Sequence, residues 1–103
     1  MRKNEEFDAV YRHGTRLYGK GFTLIFLSHH RADNRIGISI NRKLKGAVRR
    51  NRIKRIFKES FRLNREVYPP GADIVVAVRP DFSLNSPDLI TEAVADIMAS
   101  HSA

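Results

Sequence analysis

A chain of 103 residues with 42% hydrophobic content reads as one domain, 1–103, with a single modest core, and is too apolar for a disordered basic tail. Its 19 Lys and Arg against 11 Asp and Glu leave a net charge of +8, which predicts salt-sensitive attraction to polyanions. Cys is absent, which excludes a disulfide framework and Cys-ligated zinc, and no apolar run reaches the length of a membrane span. No signal peptide opens the chain, so the expected compartment is the cytoplasm and no membrane partner is expected.

In chain order, Asn4 is placed to cap a helix whose first turn holds Glu5 and Glu6, the sign favoured there. Phe7, Val10 and Tyr11 share one face of that helix, and Gly14 is a plausible stop. By spacing alone, Phe7 and Tyr11 read as core residues. Phe22–Leu27 and Arg35–Asn41 read as strands, with Ile36, Ile38 and Ile40 alternating in the second. The polar segment His29–Asn34 between them predicts an antiparallel hairpin.

The stretch Arg42–Arg65 then holds eleven of the 19 basic residues and one acid, Glu59. Ile53, Ile56, Phe57 and Phe61 recur at helical spacing, which places Asn51, Lys54, Arg55, Lys58, Arg62 and Arg65 on the opposite side. A merely solvated face would mix signs to avoid self-repulsion; this one does not. Nucleic acid is therefore the expected partner. Arg49 and Arg50 fall near the apolar side of the wheel and are expected to reach a different part of it. Arg79, outside the run, is taken as a remote reference position.

Tyr68-Pro69-Pro70-Gly71 turns the chain, and Ala72–Val78 is a continuous apolar run of the kind buried on both faces. Ser86-Pro87-Asp88 combines cap, first-turn Pro and acid, and opens a helix with Leu89, Ile90, Ala93, Val94, Ile97 and Met98 as its stripe. From Pro80 onward there are four acids and no Lys or Arg, so this helix is expected to face away from the anionic partner. The pattern is α+β, with the basic helix crossing over between two parallel strands in the default right-handed sense.

Catalytic readings are poor. His29 and His30 are adjacent in a polar turn with no carboxylate or Cys to complete a ligand set, and Asp73, Asp81 and Asp88 lie outside the basic region. No P-loop or Ser/His/Asp signature is present.

Asn4-Glu5-Glu6-Phe7, Val10-Tyr11, His13-Gly14, Arg35-Ile36-Gly37-Ile38-Ser39-Ile40, Arg50-Asn51-Arg52 and Pro70-Gly71-Ala72-Asp73-Ile74-Val75-Val76 occur in that order. Together they resemble the protein subunit of bacterial ribonuclease P over nearly the whole chain. The resemblance implies an α–β sandwich of the ribosomal protein S5 domain 2-like class, ordered α-β-β(-β)-α-β-α. It also implies a left-handed crossover through the basic helix, against the default.

The implied function is that of a non-catalytic subunit, inactive alone. It would bind the catalytic RNA, one protein per RNA, and the 5′ leader of precursor tRNA, while the RNA performs the cleavage with Mg²⁺ that it holds itself. Arg50, Asn51, Arg52, Lys54, Arg55 and Lys58 match the family's RNA-facing motif, and Arg42, Lys43, Lys45, Arg49 and Arg62 join them as expected RNA-binding residues by charge and position. Lys58 stands where Arg is usual, a point charge in place of a fork. Phe7, Tyr11, Thr23 and Ile25 match the family's leader cleft, with Ile25 where an aromatic is frequent. The competing expectation is a structural RNA binder of ribosomal-protein type with no role in cleavage, for which the first helix's aromatic face is simply buried. A DNA-binding helix-turn-helix fits less well, because strands flank the basic helix.

Overall fold

In the computed structural model, which describes residues 4–28 and 34–102, the apolar run from Ala72 to Val78 becomes the strand that joins the sheet together. The elements are α1 (Asn4–His13), β1 (Thr15–Tyr18), β2 (Phe22–Ser28), β3 (Arg35–Ile40), α2 (Ala47–Leu63), a 3-10 turn (Arg65–Val67), β4 (Ala72–Val78) and α3 (Pro87–Ser102). His29 and His30 lie outside the described residues, as does the side chain of Phe7.

The strands lie in the order β1-β2-β4-β3. β2 is antiparallel to β4, with Phe22 opposite Val78 and Ser28 opposite Ala72. β3 is parallel to β4, from Arg35 opposite Asp73 to Ile40 opposite Val78. The expected hairpin between the second and third strands is therefore wrong: they run antiparallel, but β4 stands between them. The physical reason is that β4 is apolar on both faces and would leave its own backbone groups unpaired at an edge. The true hairpin is β1–β2, closed through Gly19, Lys20 and Gly21, where the Gly19 N–H donates to the Phe22 carbonyl at 2.8 Å. β1 escaped the sequence reading because three of its four residues are exposed and only Leu17 turns inward.

Period-two alternation sorts the sheet into two faces. Phe22, Leu24, Ile74, Val76, Val78 and Ile40 form the larger core with α2 and α3. Ile25 and Val75 point the other way and are covered by Val10 of α1. α2 buries Ile53, Ile56, Phe57 and Phe61, the four residues its periodicity predicts, together with Ser60. Phe57 meets Phe22 edge-on at 5.4 Å between ring centroids. Burying each such side chain is worth about 1.5–3 kcal/mol. α2 ends at Leu63, so Arg65 does not continue its outward face. Instead, Arg65 Nη2 donates to the Asn34 carbonyl at 2.9 Å and its guanidinium lies over the Phe61 ring at 4.8 Å. α3 starts as predicted, with Ser86 Oγ accepting the Leu89 N–H at 3.3 Å. Ile90 and Val94 are fully buried, whereas Leu89 stays 41% exposed at the edge of the stripe.

The crossover from β3 through α2 to β4 is left-handed, and the hydrogen bonds give its sense. Viewed from the α2 side with β4 running upward, an L-residue whose side chain points away directs its N–H to the left. Arg79, whose side chain reaches Thr23 on the far face, sends its N–H to the Gly21 carbonyl at 2.9 Å. Asn41, one residue past the inward Ile40, sends its N–H to the Val78 carbonyl at 3.0 Å. So β2 lies left of β4, and β4 left of β3. Moving leftward under a helix that faces the viewer is the left-handed path, against the usual preference.

Candidate nucleic-acid interface

With one side of α2 locked in the core, the other is presented to solvent. Asn51, Lys54, Arg55, Lys58 and Arg62 are all exposed there. Lys54, Arg55 and Lys58 have no ion-pair partner among the described residues, while Arg62 pairs with Glu59 one turn back. Arg42, Lys43 and Lys45 extend this surface along the loop from β3 into α2, and each is exposed. The helix starts at Gly46 without a side-chain cap or an acid in its first turn. Its positive dipole end thus adds to the cations, with no acid there to offset it.

Three arginines of the first turns are differently placed. Arg49 and Arg52 lie on the flank toward the β4–α3 loop, where each donates to a carbonyl at 3.3 Å, Phe82 and Asn85 respectively. They border a cavity of about 220 Å³ floored by Ile53, Ile56 and Phe82. Arg50 turns back instead, and its Nη1 donates to the carbonyls of Asn41 and Leu44.

The opposite face of the sheet carries the second set. Tyr11 is half-buried against Val10, Ile25 and Val75, and the Arg16 guanidinium sits 5.6 Å from its ring centroid while donating to the Tyr11 carbonyl at 2.9 Å. Thr23 is only 7% exposed, and its Oγ1 accepts from Arg79 Nη1 at 2.8 Å. Ile25 is fully enclosed. It supports α1 from below, so a ligand on this face meets Tyr11 before it meets Ile25. α1 packs on β2 and β4, and β3 lies one strand further out with Gly37 and Ser39 on the same face.

Two cations on this side went unread in the sequence. Arg79 is not a remote reference position: it bonds Thr23 and the Gly19 carbonyl, and lies 3.7 Å from Asp81. Arg16 belongs to the strand that alternation did not reveal. Only the pairing of Thr23 with Ala77, two residues before Arg79, places that arginine here, and periodicity carries no pairing. Among the described residues no group of three or more His, Asp or Glu is placed to hold a metal ion.

The family model for ribonuclease P matches residues 1–101. The chain belongs to the bacterial ribonuclease P protein family. It is 58% identical over 97 residues to the ribonuclease P protein component of Desulfotalea psychrophila, covering 94% of this chain and 81% of that one. The corresponding protein of an Exiguobacterium species is 34% identical over 97 residues, covering 94% of this chain and 84% of that one. The solved ribonuclease P protein of Thermotoga maritima superposes with a TM-score of 0.83 at 30% identity, over 97% of this chain and 94% of that one. Membership of this family makes the chain a protein subunit of a tRNA-processing ribonucleoprotein and implies an RNA subunit as its partner. No helix among the described residues is long and apolar enough to cross a membrane.

Proposed function

We propose that this ribonuclease P protein uses its two faces for two RNAs. The outward side of α2, with the loop carrying Arg42, Lys43 and Lys45, binds the catalytic RNA. The face beneath α1, with Tyr11 and Thr23, holds the single-stranded 5′ leader of precursor tRNA, and Phe7 is assigned to the same ligand by the family resemblance alone. The RNA carries out the cleavage with Mg²⁺ that it binds itself, one protein serves each RNA, and the particle works in the cytoplasm. Ile25 keeps a supporting role under the leader.

The observation that carries this reading is the row of Lys54, Arg55 and Lys58, exposed and without ion-pair partners among the described residues, on a helix whose other side is core. Unpaired cations of this density repel one another until phosphates neutralise them. The second face adds an aromatic ring with Arg16 beside it, a combination on which bases stack while charge tracks the backbone. Because α1 and α2 cover opposite sides of one sheet, both ligands are held at once without competing.

The test is cleavage of precursor tRNA by a bacterial ribonuclease P RNA at low Mg²⁺, with and without the protein. Protein-dependent cleavage at the mature 5′ end, with none from protein alone, is the expected result. Tight RNA binding without stimulation would instead identify a structural RNA binder.

A further inference from the structure

The loop between β3 and α2 is tied down through the main chain of Asn41, Lys43, Leu44 and Gly46. The Asn41 N–H donates to the Val78 carbonyl at 3.0 Å and the Leu44 N–H to the Asn41 carbonyl at 3.0 Å, while Asn41 Oδ1 accepts the Lys43 N–H at 2.9 Å. The Leu44 side chain is 3% exposed and plugs into the core. One side chain gathers these pieces. Arg50 Nη1 donates to the Asn41 carbonyl at 3.1 Å and to the Leu44 carbonyl at 3.0 Å, reaching back from the first turn of α2. Its own N–H closes that turn on the Gly46 carbonyl at 3.0 Å.

The loop thus held carries Arg42, Lys43 and Lys45, all exposed and none with a side-chain partner among the described residues. Three cations within four residues repel one another, and an untied loop would let them spread. Ordering such side chains only on binding would reduce affinity, so a loop fixed in advance binds phosphates more tightly for the same charge.

We propose that Arg50 is a positioning residue. Its guanidinium fixes the 41–46 loop so that Arg42, Lys43 and Lys45 meet the RNA as a preformed cluster, and it acts through them instead of through a phosphate of its own. The inference rests on the RNA-binding reading above and assigns one residue of that surface a different task.

A double-mutant cycle separates the two roles. The dissociation constant for a bacterial ribonuclease P RNA is measured across a salt series for the wild type, for Arg50→Ala, for the triple variant Arg42→Ala/Lys43→Ala/Lys45→Ala, and for all four together. A positioning role predicts that Arg50→Ala weakens binding about tenfold in the wild type and less than about twofold once the three loop cations are gone. Hydrogen exchange at the Lys43 and Leu44 amides should speed up, while the Ile53–Phe61 amides of α2 keep their protection. Equal losses in both backgrounds, or no loss in the wild type, would overturn the proposal. Arg50→Lys, which keeps the charge, goes through the same cycle with the same two outcomes if the alanine variant does not fold. A wild type that binds no RNA would overturn the functional reading as well; binding with equal losses overturns this one alone.

Discussion

The phenol of Tyr68 donates its hydrogen to Ser60 Oγ at 2.9 Å, and the direction of that bond is fixed two residues away. The Thr91 hydroxyl donates to the Pro87 carbonyl at 3.0 Å, so its oxygen can only accept from Ser60 at 2.6 Å and from Asn64 Nδ2 at 3.2 Å. Ser60, having donated to Thr91, accepts from Tyr68. Buried at the meeting of α2, the 3-10 turn and α3, this chain of hydroxyls has one consistent arrangement.

Tyr68→Phe should therefore cost about 1 kcal/mol, since it removes the donor and leaves a buried acceptor unsatisfied. Burial pushes the Tyr68 phenol above its usual value near 10. The unfolded chain then releases this proton first as pH rises, so the folded state binds more protons above pH 10 and loses stability there. Urea titrations between pH 8 and pH 11 should show a stability decline that is smaller in Tyr68→Phe. Identical declines in both proteins would place the alkaline sensitivity elsewhere.

Two glycines with left-handed backbones should respond differently to alanine. Gly21 has φ +79, and a Cβ there would come 2.6 Å from the Phe82 Cα. Gly46 has φ +95 with open space around it. Gly46→Ala should cost only conformational strain, on the order of 1 kcal/mol, and Gly21→Ala at least about 2 kcal/mol because backbone must move as well. Thermal or urea unfolding of the two variants gives the comparison directly; equal losses would count against the contact.

On α2, Lys54→Ala and Lys58→Ala should each flatten the log–log salt dependence of RNA affinity by about 0.7–0.9. Arg62→Ala should do less, because Arg62 already pairs with Glu59 in the free protein. Filter binding from 50 to 400 mM salt measures all three slopes. A loss of affinity with an unchanged slope would mean that these residues shape the surface without meeting phosphates.

On the other face, Tyr11→Ala should weaken binding of precursor tRNA that has a leader, by about fivefold or more, and leave mature tRNA unaffected. Ile25→Ala should behave as a core truncation, costing about 2–5 kcal/mol of stability, because Ile25 is enclosed by Val10 and Val75. Comparing affinities with and without the leader checks the first, and urea unfolding the second. Equal losses of both tRNAs in Tyr11→Ala would remove the leader from this face.

What could be read from the sequence was what one element carries by itself. The stripe Ile53, Ile56, Phe57 and Phe61 shows the buried side of α2 because helical spacing alone decides it. Ser86 marks the start of α3, and Ala72–Val78 reads as doubly buried, for similarly local reasons. The pairing of strands distant in sequence is different. Nothing in Phe22–Leu27 or Arg35–Asn41 says that Val75 and Val76 lie between them. Thr15–Tyr18 has one inward residue, too few for alternation to register. The positions of Arg50 and Arg79 depend on those pairings, so their side chains could be counted as charges but not assigned partners. The left-handed crossover entered through family resemblance, since the general preference points the other way.

The insertion of β4 between β2 and β3 also orders events as the chain is made. While residues 1–71 emerge from the ribosome, β2 and β3 have no common neighbour, and Leu24, Ile36 and Ile38 have no closed core to enter. The basic helix, complete by Leu63, precedes the strand that locks the sheet beneath it. Folding therefore waits for Ala72–Val78 and is then governed by long-range closure, the slow kind. A newborn chain carrying Arg42–Arg65 thus passes beside ribosomal RNA with its cations in place before its fold is.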